Sequence, residues 1–164
     1  MTRIVRFHQT GGPEVLKIEQ EDTPLPGPGE VRIAVKALGL NRAEAMFRSG
    51  QYLEQPKFPA RLGYEAAGTV EALGKGAQGF KVGDAVSTIP AFSMNQYGVY
   101  GDTAIVPAFA VAKHPASLSW AEAAAVWMQY VTAYGALIDI AGLKAGDTLL
   151  IPAASSSVGI AAIQ

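Results

Sequence analysis

Residues Ala153 to Gly159 read Ala-Ala-Ser-Ser-Ser-Val-Gly, a run of small side chains between the apolar Thr148–Ile151 and the helix-prone Ile160–Gln164. A strand, a small-residue loop and a helix start, in that order, can hold an anion. Free N–H groups and the positive dipole end of the helix face the charge, and small side chains let a phosphate approach the backbone. The fuller G-x-G-x-x-G pattern is absent: Gly159 keeps its place, and Ala153 and Ser156 occupy the other two. An ordinary connecting loop is therefore the competing reading. Other chemistry is bounded by what the chain lacks. With no cysteine there is no disulfide, no thiolate nucleophile and no zinc site that needs cysteine. The two histidines, His8 and His114, are too few for a three-histidine metal site, and they read as surface or strand residues without catalytic work.

The elements that must position such residues fall into two stretches. The 18 glycines and 10 prolines lie mostly before residue 110 and break the chain into short apolar runs. Val31, Ile33, Val35 and Ala37 alternate with Arg32, Ala34 and Lys36, which predicts a strand with one wet face. Further strands are expected at Gly68–Leu73, Ala85–Ile89, Thr103–Val106 and Ala108–Ala112, with turn residues between them. Many short strands so punctuated make a small barrel or sandwich. One helix interrupts it, with Asn41 as N-cap, Glu44 three residues on and Gly50 to end it. After about residue 117 the pattern changes. Ser119-Trp120-Ala121-Glu122 has the form of a capping box, a helix is expected over about Gln129–Ala141, a buried strand over Thr148–Ile151, and a helix from near Val158. The expected fold is mainly β, residues 1–125, followed over 126–164 by linking helices and the opening strand and helix of an α/β nucleotide-binding unit. One strand and half a helix cannot bury their own apolar faces, so this end reads as cut.

Composition narrows the function classes. The 13 basic and 14 acidic residues leave a net charge of −1, and Lys and Arg form no cluster, so the electrostatic footprint of a nucleic-acid binder is missing. Charged residues are only 16% of the chain, against about 25% on average, which implies apolar surface to be covered by something else. Met1-Thr2-Arg3-Ile4-Val5-Arg6 has no apolar core of a secretory signal. A long uncharged run, Ala123 to Ile138, contains Gln129, Tyr130, Thr132 and Tyr134 and is too short and polar for a membrane span. The expectation is a cytoplasmic protein with neither membrane nor nucleic acid as partner.

A series of segments in fixed order carries more information than any single motif. Gly11-Gly12-Pro13-Glu14-Val15-Leu16 is followed by Asn41 with Arg48-Ser49-Gly50-Gln51-Tyr52, and then by Leu62-Gly63-Tyr64-Glu65-Ala66-Ala67-Gly68-Thr69-Val70. Phe80-Lys81-Val82-Gly83-Asp84-Ala85-Val86, Gly98-Val99-Tyr100-Gly101-Asp102 and the loop 153–159 complete it. Over essentially its whole length the chain resembles the zinc-independent quinone oxidoreductase branch of the medium-chain dehydrogenase/reductase superfamily. The resemblance implies a GroES-like barrel followed by a Rossmann domain, in chains considerably longer than this one.

It also implies an activity: transfer of hydride from NADPH, or NADH, to a quinone, an activated alkene or a carbonyl, in a homodimer. The related zinc alcohol dehydrogenases carry cysteine and histidine where this chain has Asn41 and Tyr64, so the resemblance implies a zinc-free member. Asn41 and Tyr52 match catalytic positions beside the nicotinamide and substrate. Thr132, with Ala153, Ser155, Ser156, Ser157, Val158 and Gly159, matches cofactor contacts, and Tyr64 a wall of the substrate pocket. Each has a plainer role open to it: Asn41 as a helix cap, Tyr52 as rim packing, Thr132 as a hydroxyl bonding back along its helix, Tyr64 as structure. Two other functions stay open at this point, a non-catalytic crystallin-like protein that still binds NADPH and a stand-alone GroES-like module for association. A piece of 164 residues is expected to be inactive alone.

Overall fold

The alternation Val31, Arg32, Ile33 builds the central strand of the larger sheet, β3 (Glu30–Gly39). Val31 and Ile33 are fully buried, while Arg32 keeps an edge in solvent. Beyond Ile33 the alternation fails, because β3 pairs with β5 (Glu65–Leu73) through two register shifts, between Arg32 and Ile33 and between Val35 and Ala37. A bulge turns the strand and re-aims the side chains that follow it, so Val35 and Ala37 are half-buried and not core. The computed structural model describes all 164 residues and divides into two compact units, Met1–Ala125 and Val126–Gln164.

The first unit is mainly β. A three-stranded antiparallel sheet has the order β2 (Lys17–Glu21), β1 (Thr2–Phe7), β4 (Ala60–Arg61). A five-stranded antiparallel sheet has the order β7 (Thr103–Pro107), β3, β5, β6 (Ala85–Thr88), β8 (Val111–Lys113). The two sheets meet where β1 bonds the segment leading into β7: Val5 N–H donates to the Tyr100 carbonyl and Asp102 N–H to the Arg3 carbonyl, both at 2.9 Å. Ile4, Phe7, Ile33, Val70, Val86 and Val106 fill the interior.

Two helices belong to this unit, α1 (Arg42–Arg48) and α2 (Trp120–Ala123). Both start where the cap spacing places them: Glu44 accepts from the Asn41 backbone N–H at 2.8 Å, and Glu122 from the Ser119 N–H at 2.8 Å. The strand expected at Ala108–Ala112 is instead one 3-10 turn, Ala108–Ala110, followed by the short β8. His8 is exposed and bonds Glu19 at 2.6 Å. His114 stands edge-on to Trp120, with ring centroids 5.4 Å apart, and burial lowers its pKa.

The second unit packs α3 (Trp127–Tyr134) with α4 (Ser157–Ile163). The helix expected up to Ala141 changes hydrogen-bonding period at Gly135 and continues as a π-helix to Ile140. The strand expected over Thr148–Ile151 does not form: these residues pair with no neighbour, and Leu150 is 85% exposed. Strand propensity is realised only where another strand supplies the ladder. Only Ala133, Gly159 and Ala161 are buried in this unit, whereas Ile140, Leu150 and Ile163 stand in solvent. The low charge content thus has a structural counterpart in uncovered apolar side chains.

Candidate functional site

The start of α1 and the start of β5 bring the polar residues of the first unit together. Asn41 holds extended backbone angles ahead of α1, and its side-chain Nδ2 donates to Glu65 Oε2 at 2.8 Å. That bond fixes the plane of the amide. Glu44, 5% exposed, uses its second oxygen on the Tyr64 N–H at 3.2 Å, so one carboxylate caps the helix and anchors the turn into β5. Burial raises the Glu44 pKa, against the backbone N–H groups that stabilise its charge.

Gly63 makes the turn possible. Its φ of +101° lies where residues with a side chain are strained, and a Cβ there would sit 2.1 Å from the Tyr100 ring. Tyr100 cannot step aside easily, since it is buried and its hydroxyl donates to the Gly39 carbonyl at 3.1 Å. Gly63→Ala should therefore cost about 3–5 kcal/mol, the sum of backbone strain and overpacking. Urea denaturation should show the loss as a lower midpoint at unchanged slope, and a midpoint near wild type would contradict the crowding.

The tyrosines line up along an aromatic path. Tyr52 is half-buried, with its ring edge-on to Phe47 (centroids 6.4 Å, 85°) and tilted against Tyr64 (6.4 Å, 58°). Tyr64 is buried and leans on Phe92 (5.6 Å), which meets Tyr97 edge-on (6.1 Å). The Tyr97 hydroxyl donates to Glu30 at 2.9 Å. Burial first, and then the neighbouring Tyr52 hydroxyl, push the Tyr64 phenol well above its ordinary pKa. It stays protonated through neutral pH and remains a hydrogen-bond donor.

The structure therefore brings Asn41, Tyr52 and Tyr64 into one region of the first unit, linked by Glu44, Glu65 and the rings. Asn41 does serve at the helix start, as its plainer reading had it, while its side chain is committed to Glu65. Sequence reasoning passed over Phe92 and the bridging role of Glu44 and Glu65. Only the low chance of leaving two acids buried without a task could have marked the latter.

The remaining residues lie in the second unit. Thr132 is exposed on α3, and its hydroxyl donates back to the Met128 carbonyl at 2.5 Å. Ser156 is the N-cap of α4: its Oγ accepts from the Gly159 N–H at 3.0 Å and donates to the Ala153 carbonyl at 2.8 Å. Ala153, Ser155, Ser156 and Ser157 are exposed and Val158 is half-buried. Gly159 is buried, and a Cβ on it would stand 2.3 Å from the Ala153 carbonyl, so its smallness lets the loop fold onto the helix.

Residues 27–133 match the alcohol dehydrogenase GroES-like domain. Human quinone oxidoreductase is 41% identical over 165 residues, covering all of this chain and 49% of that protein. The crystal structure of a human synaptic vesicle membrane protein VAT-1 homolog-like protein superposes with a TM-score of 0.90 at 36% identity, over 98% of this chain and 50% of that one. A mycobacterial protein solved in complex with NADPH gives a TM-score of 0.85 at 33% identity, over 99% and 48%. The chain spans about half the length of these relatives. It belongs to the alcohol dehydrogenase GroES-like domain family, and over its whole length it is similar to the N-terminal half of quinone oxidoreductases.

Proposed function

We propose that these residues serve an NAD(P)H-dependent reductase of quinones or other activated carbonyls and alkenes, in which Tyr52 and Asn41 act on the substrate oxygen without zinc. The observation that carries the proposal is the cluster of Tyr52, Tyr64 and Asn41, held by buried Glu44 and Glu65, in a chain 41% identical to a quinone oxidoreductase. A bound nicotinamide supplies two electrons as hydride from its C4. As negative charge develops on the substrate oxygen, hydrogen-bond donors stabilise it. The Tyr52 hydroxyl takes that part and passes its proton to the oxygen, to be replaced from solvent. Asn41, with its amide plane set by Glu65, orients the reacting groups, and Tyr64 walls the pocket as a neutral phenol.

The cofactor assignment falls on the second unit. The exposed small-residue loop Ala153, Ser155, Ser156, Ser157, with Val158 and Gly159, suits a diphosphate, because Gly159 lets the loop close onto α4 and no bulky side chain covers its N–H groups. Thr132 completes the proposed set. The donor set argues against zinc. An amide, as at Asn41, is not among zinc's usual Cys, His and carboxylate ligands, and Tyr64 would have to bind as a phenolate that burial disfavours. No three His, Cys, Asp or Glu side chains converge anywhere in the chain. Elemental analysis of the purified protein should find well below one zinc per chain, and a stoichiometric metal would refute the zinc-free mechanism.

The reaction is tested in the whole enzyme by following NADPH oxidation against a panel of quinones and enones. Turnover that saturates with a quinone is the expected result. NADPH binding without turnover on any member would favour the non-catalytic reading.

A further inference from the structure

We propose that Asn95 is a positioning residue, whose side-chain amide ties the loop carrying Tyr52 to the facing 93–97 turn and so sets where the Tyr52 hydroxyl stands. The inference rests on the proposed role of Tyr52. Between the end of α1 and the start of β4, residues 49–59 belong to no helix or strand, so no ladder of backbone bonds holds them. Burial holds them only in part: Tyr52 is half-buried and Phe58 packs edge-on to Phe7, but Leu53, next to Tyr52, is 95% exposed. The rest is done by hydrogen bonds, one inside the segment from Gln55 Nε2 to the Gly50 carbonyl at 3.2 Å and the others at its two ends.

At the near end, Gln51 N–H donates to the Met46 carbonyl of α1 at 2.8 Å. At the far end one side chain does most of the tying. Asn95 Oδ1 accepts from the Lys57 N–H at 2.8 Å, and its Nδ2 donates to the Gln55 carbonyl at 3.0 Å and to Glu54 Oε2 at 3.1 Å. The Asn95 backbone N–H donates to Ser93 Oγ at 3.1 Å, and Ser93 Oγ donates to the same Glu54 oxygen. Both ends of the amide are therefore used on a loop about 40 residues away in sequence. The turn it reaches from is itself secured. Met94 is buried, Tyr97 is bonded to Glu30, and Phe92 packs on Tyr64. Asn95 thus couples the loop of Tyr52 to the same aromatic path that Tyr52 touches through Tyr64.

Asn95→Ala deletes three of these bonds and leaves the Tyr52 loop tied to the 93–97 turn through Ser93 Oγ to Glu54 alone, beside the ring contacts of Tyr52. In the 164-residue chain, amide exchange at Lys57 should quicken at least tenfold, and nuclear Overhauser contacts between the Tyr52 and Tyr64 rings should weaken. In the whole enzyme kcat for a quinone should fall about tenfold with NADPH affinity unchanged. A double-mutant cycle separates positioning from general destabilisation, since residues acting through one another are not additive. In a Tyr52→Phe background Asn95→Ala should lower kcat no further. Additive losses, or ring contacts between Tyr52 and Tyr64 that persist unchanged, would overturn the proposal. If Asn95→Ala does not fold, Glu54→Ala removes the Asn95 Nδ2 and Ser93 Oγ bonds nearest Tyr52 from a half-exposed position and should weaken the same Tyr52–Tyr64 ring contacts and lower kcat, with the Lys57 N–H still held by Asn95. Should Tyr52→Phe alone leave kcat intact, the role of Tyr52 falls, and the exchange and ring contacts still decide whether Asn95 places the loop.

Discussion

Replacing Tyr52 by Phe in the whole enzyme should lower kcat for quinone reduction by ~10²–10³ while NADPH affinity stays close to wild type. The substitution removes one oxygen and keeps the ring, so the ring contacts with Phe47 and Tyr64 survive and folding stability should change by less than about 1 kcal/mol. In the proposed scheme, what is lost is a donor aimed at charge that grows only as the hydride arrives. Such a group stabilises the transition state more than the bound substrate, so its removal lowers kcat and kcat/KM together. Tyr64→Phe is the matching control. The Tyr64 ring is buried between Tyr52 and Phe92, and in the proposed scheme its hydroxyl lines the pocket without delivering the proton, so its effect on kcat should be much smaller. Steady-state kinetics with a single quinone and varied NADPH separate the two. A Tyr52→Phe enzyme with unchanged kcat would return that residue to packing on the rim.

What could be read from the sequence follows the range of the interaction concerned. The cap of α1 was legible because Asn41 and Glu44 lie three residues apart and act on one another. The capping box at Ser119 and Glu122 was legible for the same reason. The burial of Val31 and Ile33 followed from period-two alternation, but Val35 and Ala37 departed from it because a bulge arises from pairing with β5, which no local pattern encodes. Longer-range ties were invisible: Glu44 to the Tyr64 N–H, Asn41 to Glu65, Asn95 to Glu54 and Lys57. These assemble the candidate site, and each depends on two loops meeting. The identities of Asn41, Tyr52 and Tyr64 came from the family resemblance, since nothing in the spacing of an amide and two phenols announces hydride chemistry. Thr148–Ile151 shows the opposite case, a local pattern that reads as a strand and stays unpaired for want of a neighbour.

The 164-residue chain by itself should bind NADPH weakly, with no saturation below the millimolar range, and should not turn over. The loop at 153–159 offers few free donors, because the Ser156 hydroxyl already accepts from the Gly159 N–H. The helix behind it, α4, has only seven residues, so it contributes about two turns of dipole and is prone to fray. A dinucleotide also lies across two βαβ halves, with the ribose read by an acidic or basic residue about 20 positions beyond the glycine loop. Only Ile160, Ala161, Ala162, Ile163 and Gln164 follow Gly159 here, none of them charged. The strand that should stiffen the loop from behind is unpaired, and Leu149 and Leu150 are exposed. Between a micromolar and a millimolar site lie about 4 kcal/mol, which phosphate contacts on a fraying helix do not supply. Titration of NADPH fluorescence with the purified chain measures the difference directly. A dissociation constant in the low micromolar range, saturating at one NADPH per chain, would mean that residues 126–164 already form a complete cofactor site.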